Sequence, residues 1–186
     1  MTNVKPIETR YSGHRFRSRL EARWAVFFDT ANILWHYEHE GYPVGGRPYL
    51  PDFYLPECGT WIEVKGHDSM LDVTLMEAAA TQLPLLSYKG EPGPRLMILG
   101  PIDRVPSEGD LGWIGIAEDW SRPGTLRHDR FGFGSFDKNR RPWYLDNGQV
   151  DERWTVPTVD TWERGVPGAY LAAKSARFEH GESGPG

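Results

Sequence analysis

Residues 49–66 read YLPDFYLPECGTWIEVKG. From Tyr49 to Leu55, and again from Trp61 to Lys65, aromatic, β-branched and apolar residues alternate with polar ones, so each half reads as a strand. Side chains at i and i+2 share a face of a strand. Ile62 and Val64 then point to a core, and Trp61, Glu63 and Lys65 point the other way. In the first strand Leu50, Asp52 and Tyr54 share a face. Pairing through a turn near Glu57 to Thr60 sets Asp52 beside Glu63, so that two carboxylates and a lysine converge. Close carboxylates repel and raise each other's pKa. A hard divalent cation relieves that repulsion. Mg²⁺ takes one or two carboxylates and fills its other positions with water and substrate phosphate. Lys65 stands where it can orient or activate an attacking water.

Pro51-Asp52 followed by Glu63-Val64-Lys65 resembles the PD-(D/E)XK nuclease superfamily. The likeness covers residues 1–105. It implies a restriction-endonuclease-like α/β fold, a short mixed sheet flanked by helices, and Mg²⁺-dependent hydrolysis of DNA, with Mn²⁺ as a substitute ion. It further implies that Asp52, Glu63 and the Val64 carbonyl bind metal and that Lys65 serves the water. A glutamate on the helix before the sheet often completes such sites, and Glu21 in Arg19-Leu20-Glu21-Ala22 matches it. The spacing of Glu21, Asp52, Glu63 and Lys65 is also similar to that of phage junction-resolving endonucleases of this superfamily. By that analogy the expectation is a phage protein that cuts DNA in the host cytoplasm, with junction, flap, nick and linear duplex all open as its substrate. One departure stands out. Some relatives carry Gln-x-x-x-Tyr after the second helix, whereas here Gln82 is followed by Leu86 in the fourth place.

Ser18 is an N-cap candidate, with Glu21 three residues on as a capping-box partner. A helix is expected from Arg19 to about Thr30, ending near Asn32, with Leu20, Trp24, Phe27 and Phe28 as its apolar stripe. Glu21 thus has two readings, a cap partner or a third acidic ligand. Ile33 to Glu40 reads as a strand, on which His36 and His39 would face opposite sides, against a zinc site. Glu38 on that strand is either a solvated side chain or a neighbour of the metal. Gly45-Gly46 marks a turn. His67 reads as an exposed loop residue. Ser69 is a second N-cap candidate, for a helix from Met70 to about Leu83. Arg95 to Gly100 reads as a buried strand.

Residues 106–186 read as an irregular extension packed on the core as one domain, with strands near Leu111–Ala117 and Trp143–Leu145 and a closing helix from Gly168 to Phe178. Met1 to Gly13 reads as a loosely held arm and Glu182 to Gly186 as a disordered tail. Phe131-Gly132-Phe133-Gly134 is open to two readings, a DNA-contacting loop or a hairpin whose aromatics pack on the core.

The chain has 186 residues, a single cysteine and a formal charge of −5, which exclude a disulfide framework and a Cys-rich zinc site. No apolar run suits a membrane span or a signal peptide. An acidic balance sits poorly with a nucleic-acid partner, but the charge is uneven. Arg15, Arg17 and Arg19 cluster before the first helix, and Arg127, Arg130, Lys138, Arg140 and Arg141 cluster later. Local basic patches bind phosphate on an acidic protein. These eight are the candidate DNA contacts. A homodimer is left open. Two rival functions stay on the page: a nuclease-like DNA-binding protein without activity, and an acidic mimic of DNA that inhibits a host enzyme.

Overall fold

The computed structural model describes residues 7–86, 93–102, 114–118, 125–130, 132–134, 144–146 and 165–178. The chain is a mixed α/β protein. Its centre is a six-stranded sheet built from β3 (His36–Tyr37), β6 (Phe53–Leu55), β7 (Thr60–Val64), β8 (Leu96–Leu99), β9 (Ile114–Glu118) and β10 (Leu126–Arg130), in the order β10-β9-β8-β7-β6-β3. Only β7 and β8 run parallel. Two hairpins stand beside it: β1 (Thr9–Tyr11) with β2 (His14–Phe16), and β4 (Tyr42–Val44) with β5 (Arg47–Tyr49). A third pair joins β11 (Gly132–Gly134) to β12 (Tyr144–Asp146).

Helix α1 (Arg19–Thr30) covers one face and α2 (Val73–Gln82) the other. The closing helix α3 (Val166–Ser175) packs on α1. On the first face Phe53, Leu55, Ile62, Val64, Met97 and Leu99 meet Trp24, Phe28 and Tyr170. On the second, Tyr54, Trp61, Leu96 and Ile98 meet Met76, Ala79 and Ala80. A large aliphatic or aromatic side chain gains roughly 1.5–3 kcal/mol on full burial, so this double-sided packing supplies most of the driving force.

Helix α1 starts at Ser18, whose hydroxyl accepts from the Glu21 N–H at 3.2 Å. It ends as the sequence suggests. Asn32 takes φ 56°, its N–H reaches the Asp29 carbonyl, and the Ile33 N–H reaches that of Phe28. That double closure satisfies the last carbonyls of the helix.

Several expectations change. Residues 49–55 are not one strand. Tyr49 closes β5, and β6 begins only at Phe53. Pro51 has no N–H for a ladder, so the strand breaks there. The arm before Gly13 is partly ordered, because Ser12 and Gly13, at φ 48° and 78°, form the turn that pairs β1 with β2. The strand expected over Ile33–Glu40 shrinks to β3, since Glu38 adopts φ 43°. That reversal brings the His36 and His39 rings to 5.2 Å, stacked rather than on opposite sides. Helix α2 is capped by Asp72, not Ser69; the Asp72 carboxylate accepts from the Leu75 N–H at 3.0 Å. Phe133 is buried against Trp24, Phe27 and Phe28, as core packing requires. The face that carries Trp61 and Glu63 is buried as well, because α2 and the β4–β5 hairpin cover it. Phe131, Lys138, Arg140, Arg141 and the tail Glu182–Gly186 lie outside the described residues. No helix among the described residues is long and apolar enough to cross a membrane.

Candidate active site

The pairing of β6 with β7 matches Phe53 to Ile62 and Tyr54 to Trp61. Continued by one step, the register sets Asp52 opposite Glu63. Asp52 is 3 % and Glu63 6 % exposed. One further step sets Pro51 opposite Val64. Trp61 and Lys65 donate their N–H groups to β8 and its flank, so the intervening Val64 turns its backbone to the β6 side. Pro51 has no N–H to give there. The Val64 carbonyl thereby loses its ladder donor, and the Val64 N–H is taken instead by Asp52 Oδ2 at 2.7 Å. The Pro-Asp pair ends the ladder and, in the same step, brings a carboxylate and a backbone carbonyl to one edge.

Glu63 is held from both sides. The Tyr49 hydroxyl donates to Oε2 at 2.7 Å, and the Lys65 ammonium contacts Oε1. Glu21, at the start of α1, is also anchored. Its Oε1 accepts from the Ser18 hydroxyl at 2.6 Å, and its Oε2 accepts from the Tyr37 hydroxyl at 2.7 Å and the Arg17 N–H at 3.1 Å. The capping box is therefore shifted by one residue: the carboxylate serves the Arg17 N–H rather than that of Ser18. Arg17 ties the two halves together. Its Nη2 donates to Asp52 Oδ1 at 2.6 Å and its Nε to Glu38 Oε1 at 2.8 Å. The Glu38 N–H adds a bond to the Asp52 carbonyl at 2.9 Å.

The electrostatics follow from this burial. Desolvation, then the charges of Glu63 and Glu21, push the Asp52 carboxyl up to about 8. The Val64 N–H and the Arg17 guanidinium pull the other way and are outweighed. Burial, then Glu63, raises the Tyr49 phenol far above its ordinary range, so it remains a neutral donor. Tyr37 is raised by burial and by its bond to Glu21. For Arg17, burial opposes the charge, but Asp52, Tyr37, Glu38 and Glu21 together raise it.

Glu21 and Asp52 thus share one network through Arg17, and Glu63 with Lys65 and Tyr49 forms a second, the two adjoining where Asp52 Oδ2 accepts from the Val64 N–H. The candidate DNA contacts scatter more widely. Arg15 is exposed and paired with Glu8, while Arg17 lies inside the first network. Arg19 sits in the first turn of α1, its Nε buried without a hydrogen-bond partner among the described residues. Arg127 and Arg130 fall on β10, the sheet edge three strands from β7 and so roughly 14 Å away at normal strand spacing. His67 is exposed and bonded through Nδ1 to Ser69. Gln82, four residues before the Leu86 that stands where the motif has tyrosine, accepts from the Gly45 N–H and ties α2 to the β4–β5 hairpin. Sequence reading missed Tyr37 and Tyr49. Their one signal was that a tyrosine near a core needs a partner for its hydroxyl.

Among the described residues no group of three or more His, Cys, Asp or Glu side chains stands ready to hold a metal ion. The donor chemistry nonetheless suits a hard divalent cation. Asp52 and Glu63 offer carboxylate oxygens, the Val64 carbonyl shares their edge, and Arg17 and Lys65 now pair with the two acids. Comparison with protein families, curated proteins and solved structures finds no match for the chain.

Proposed function

We propose that this chain is a metal-dependent DNA endonuclease of the PD-(D/E)XK type, built on a restriction-endonuclease-like core. The observation that carries the reading is the buried Asp52–Glu63 pair, at the point where Pro51 ends the β6–β7 ladder, with Lys65 on Glu63. Asp52, Glu63 and the Val64 carbonyl would hold Mg²⁺ or Mn²⁺. Such an ion supplies Lewis-acid polarisation of the phosphate and a more acidic bound water. Lys65, two residues beyond Glu63, orients the attacking water and offsets charge building on the phosphate. Tyr49 fixes the Glu63 carboxylate. Ser18 and Tyr37 fix Glu21 where its charge is felt at Asp52. Arg15, Arg17 and Arg19 meet the DNA backbone.

The test is incubation of the purified protein with labelled linear, flapped and branched DNAs, in Mg²⁺ and in EDTA. Cleavage in Mg²⁺ alone supports the reading, and a preference for branched substrates supports its kinship with junction-resolving enzymes. Binding without cleavage in either condition supports the second reading, an inactive nuclease-like DNA-binding protein. One observation favours that alternative: each carboxylate oxygen of Asp52 and Glu63 already has a protein partner.

A further inference from the structure

We infer that Arg17 is a built-in competitor for the cation: it occupies Asp52 until a DNA phosphate draws it away, so that metal and DNA bind cooperatively. The inference rests on the nuclease reading of the same site. The geometry separates a fixed part of Arg17 from a free part. Its backbone is pinned, since the N–H reaches both Glu21 Oε2 and the Tyr37 hydroxyl at 3.1 Å. Its side chain is 54 % exposed, whereas that of Asp52 is 5 % exposed. The guanidinium can therefore swing outwards while the carboxylate stays in place.

Charge balance gives the reason for the swing. Asp52 is paired with a cation in a site where burial denies it water and the register sets Glu63 opposite it. In the absence of metal Arg17 is that cation, steadied by Glu38 at 2.8 Å. An incoming ion must displace it from Oδ1. A guanidinium is also suited to bidentate contact with phosphate. A DNA phosphate at the mouth of the site offers Arg17 a second partner and vacates the Asp52 oxygen in one exchange. What DNA does for metal affinity, metal does for DNA affinity, because the coupling is reciprocal. Lys65 does not play this part: it is bound to Glu63, not to Asp52.

The experiment is calorimetric titration of the DNA-free protein with Mn²⁺, for the parent and for Arg17→Gln, Glu38→Gln and Arg15→Gln. Loss of a charge-assisted bond that the ion must otherwise break should tighten Mn²⁺ roughly tenfold in Arg17→Gln. Glu38→Gln, which removes one of the two anchors of the guanidinium, should tighten it less. Arg15→Gln removes the same charge two residues away, on β2, and should leave the Mn²⁺ affinity of the DNA-free protein unchanged. If Arg17→Gln binds Mn²⁺ no tighter than the parent, or if Arg15→Gln tightens it equally, the competitor role is overturned and the nuclease reading stands. No Mn²⁺ binding by any of the four proteins overturns both. Should Arg17→Gln fail to fold by circular dichroism, Glu38→Gln decides: tighter binding supports the inference, and unchanged or weaker binding overturns it.

Discussion

Tyr49 and Glu63 are joined across the covered face of the sheet by a hydrogen bond of 2.7 Å, the phenol donating to the carboxylate. Both are buried, at 8 % and 6 % exposure. A buried carboxylate oxygen left without its donor costs about 1–3 kcal/mol. Tyr49→Phe keeps the ring and removes only the donor. Its melting temperature in EDTA should therefore fall by roughly 2–12 °C, at about 2–4 °C per kcal/mol for a chain of this size. An unchanged melting temperature would show that solvent replaces the phenol and that Tyr49 does not position Glu63.

Glu21 separates two roles that the sequence leaves joined. Its carboxylate takes donors from Ser18, Tyr37 and Arg17. Gln preserves one acceptor oxygen for Tyr37 and Arg17, and its amide can donate to the Ser18 hydroxyl. Glu21→Gln should thus melt close to the parent. If the charge serves metal or water, cleavage should drop by at least about 100-fold. Parent-like cleavage by Glu21→Gln would leave the residue a structural anchor of α1.

Lys65 is bonded to Glu63 and half-buried at 21 % side-chain exposure. Lys65→Ala removes the group assigned to the water. DNA cleavage should fall at least about 100-fold, the scale of a lost acid–base group. Substrate binding in Ca²⁺, measured by anisotropy, should persist. Cleavage at the parental rate would remove that assignment.

The legible parts were those fixed by local pattern. Ser18, the stripe of Trp24, Phe27 and Phe28, and Asn32 bound α1 from cap to cap, and all three signals act within one helix. Asp52 and Glu63 were brought opposite by a short turn and a fixed period of two. What stayed hidden depends on distant partners. Pro51 reads equally well as a tolerated edge proline, and only the register with Val64 gives it the work of ending the ladder. Tyr37 and Tyr49 look like ordinary core aromatics until their hydroxyls find Glu21 and Glu63. The burial of Trp61 required α2 and the β4–β5 hairpin to fold over the face opposite Ile62 and Val64.

The raised Asp52 carboxyl makes a pH prediction. Its ordinary value is 3.8 and its folded value is pushed up to about 8 by burial and by Glu63 and Glu21. Between those values the folded state holds a proton that the unfolded chain has released, so stability falls as pH rises. The contribution is fully present below the window and lost above it. Without metal, the parent should lose melting temperature relative to Asp52→Asn between about pH 4 and about pH 8. Parallel curves for the two proteins would mean that Asp52 is ionised throughout, with Arg17 outweighing burial.

Metal response brings these strands together. An ion bound only by the folded state stabilises it by about 2.7 kcal/mol at a hundred times its dissociation constant. At about 2–4 °C per kcal/mol this is a rise of roughly 5–11 °C. The ion must first displace Arg17 from Asp52, so the parent's response to Mg²⁺ should be weak, and Mn²⁺ is the better probe. Asp52→Asn removes the carboxylate charge. It keeps an amide oxygen that can still accept from the Val64 N–H, as Asp52 Oδ2 does at 2.7 Å. Its fold should survive, and above about pH 8 it should be at least as stable as the metal-free parent. Its melting temperature should barely move with Mn²⁺. A surface hairpin with an incidental Glu–Lys pair predicts something else: no response in either protein, and no gain on neutralising Asp52. Equal Mn²⁺ shifts in parent and mutant at matched ionic strength would place the ion away from Asp52 and remove the physical basis of the nuclease proposal.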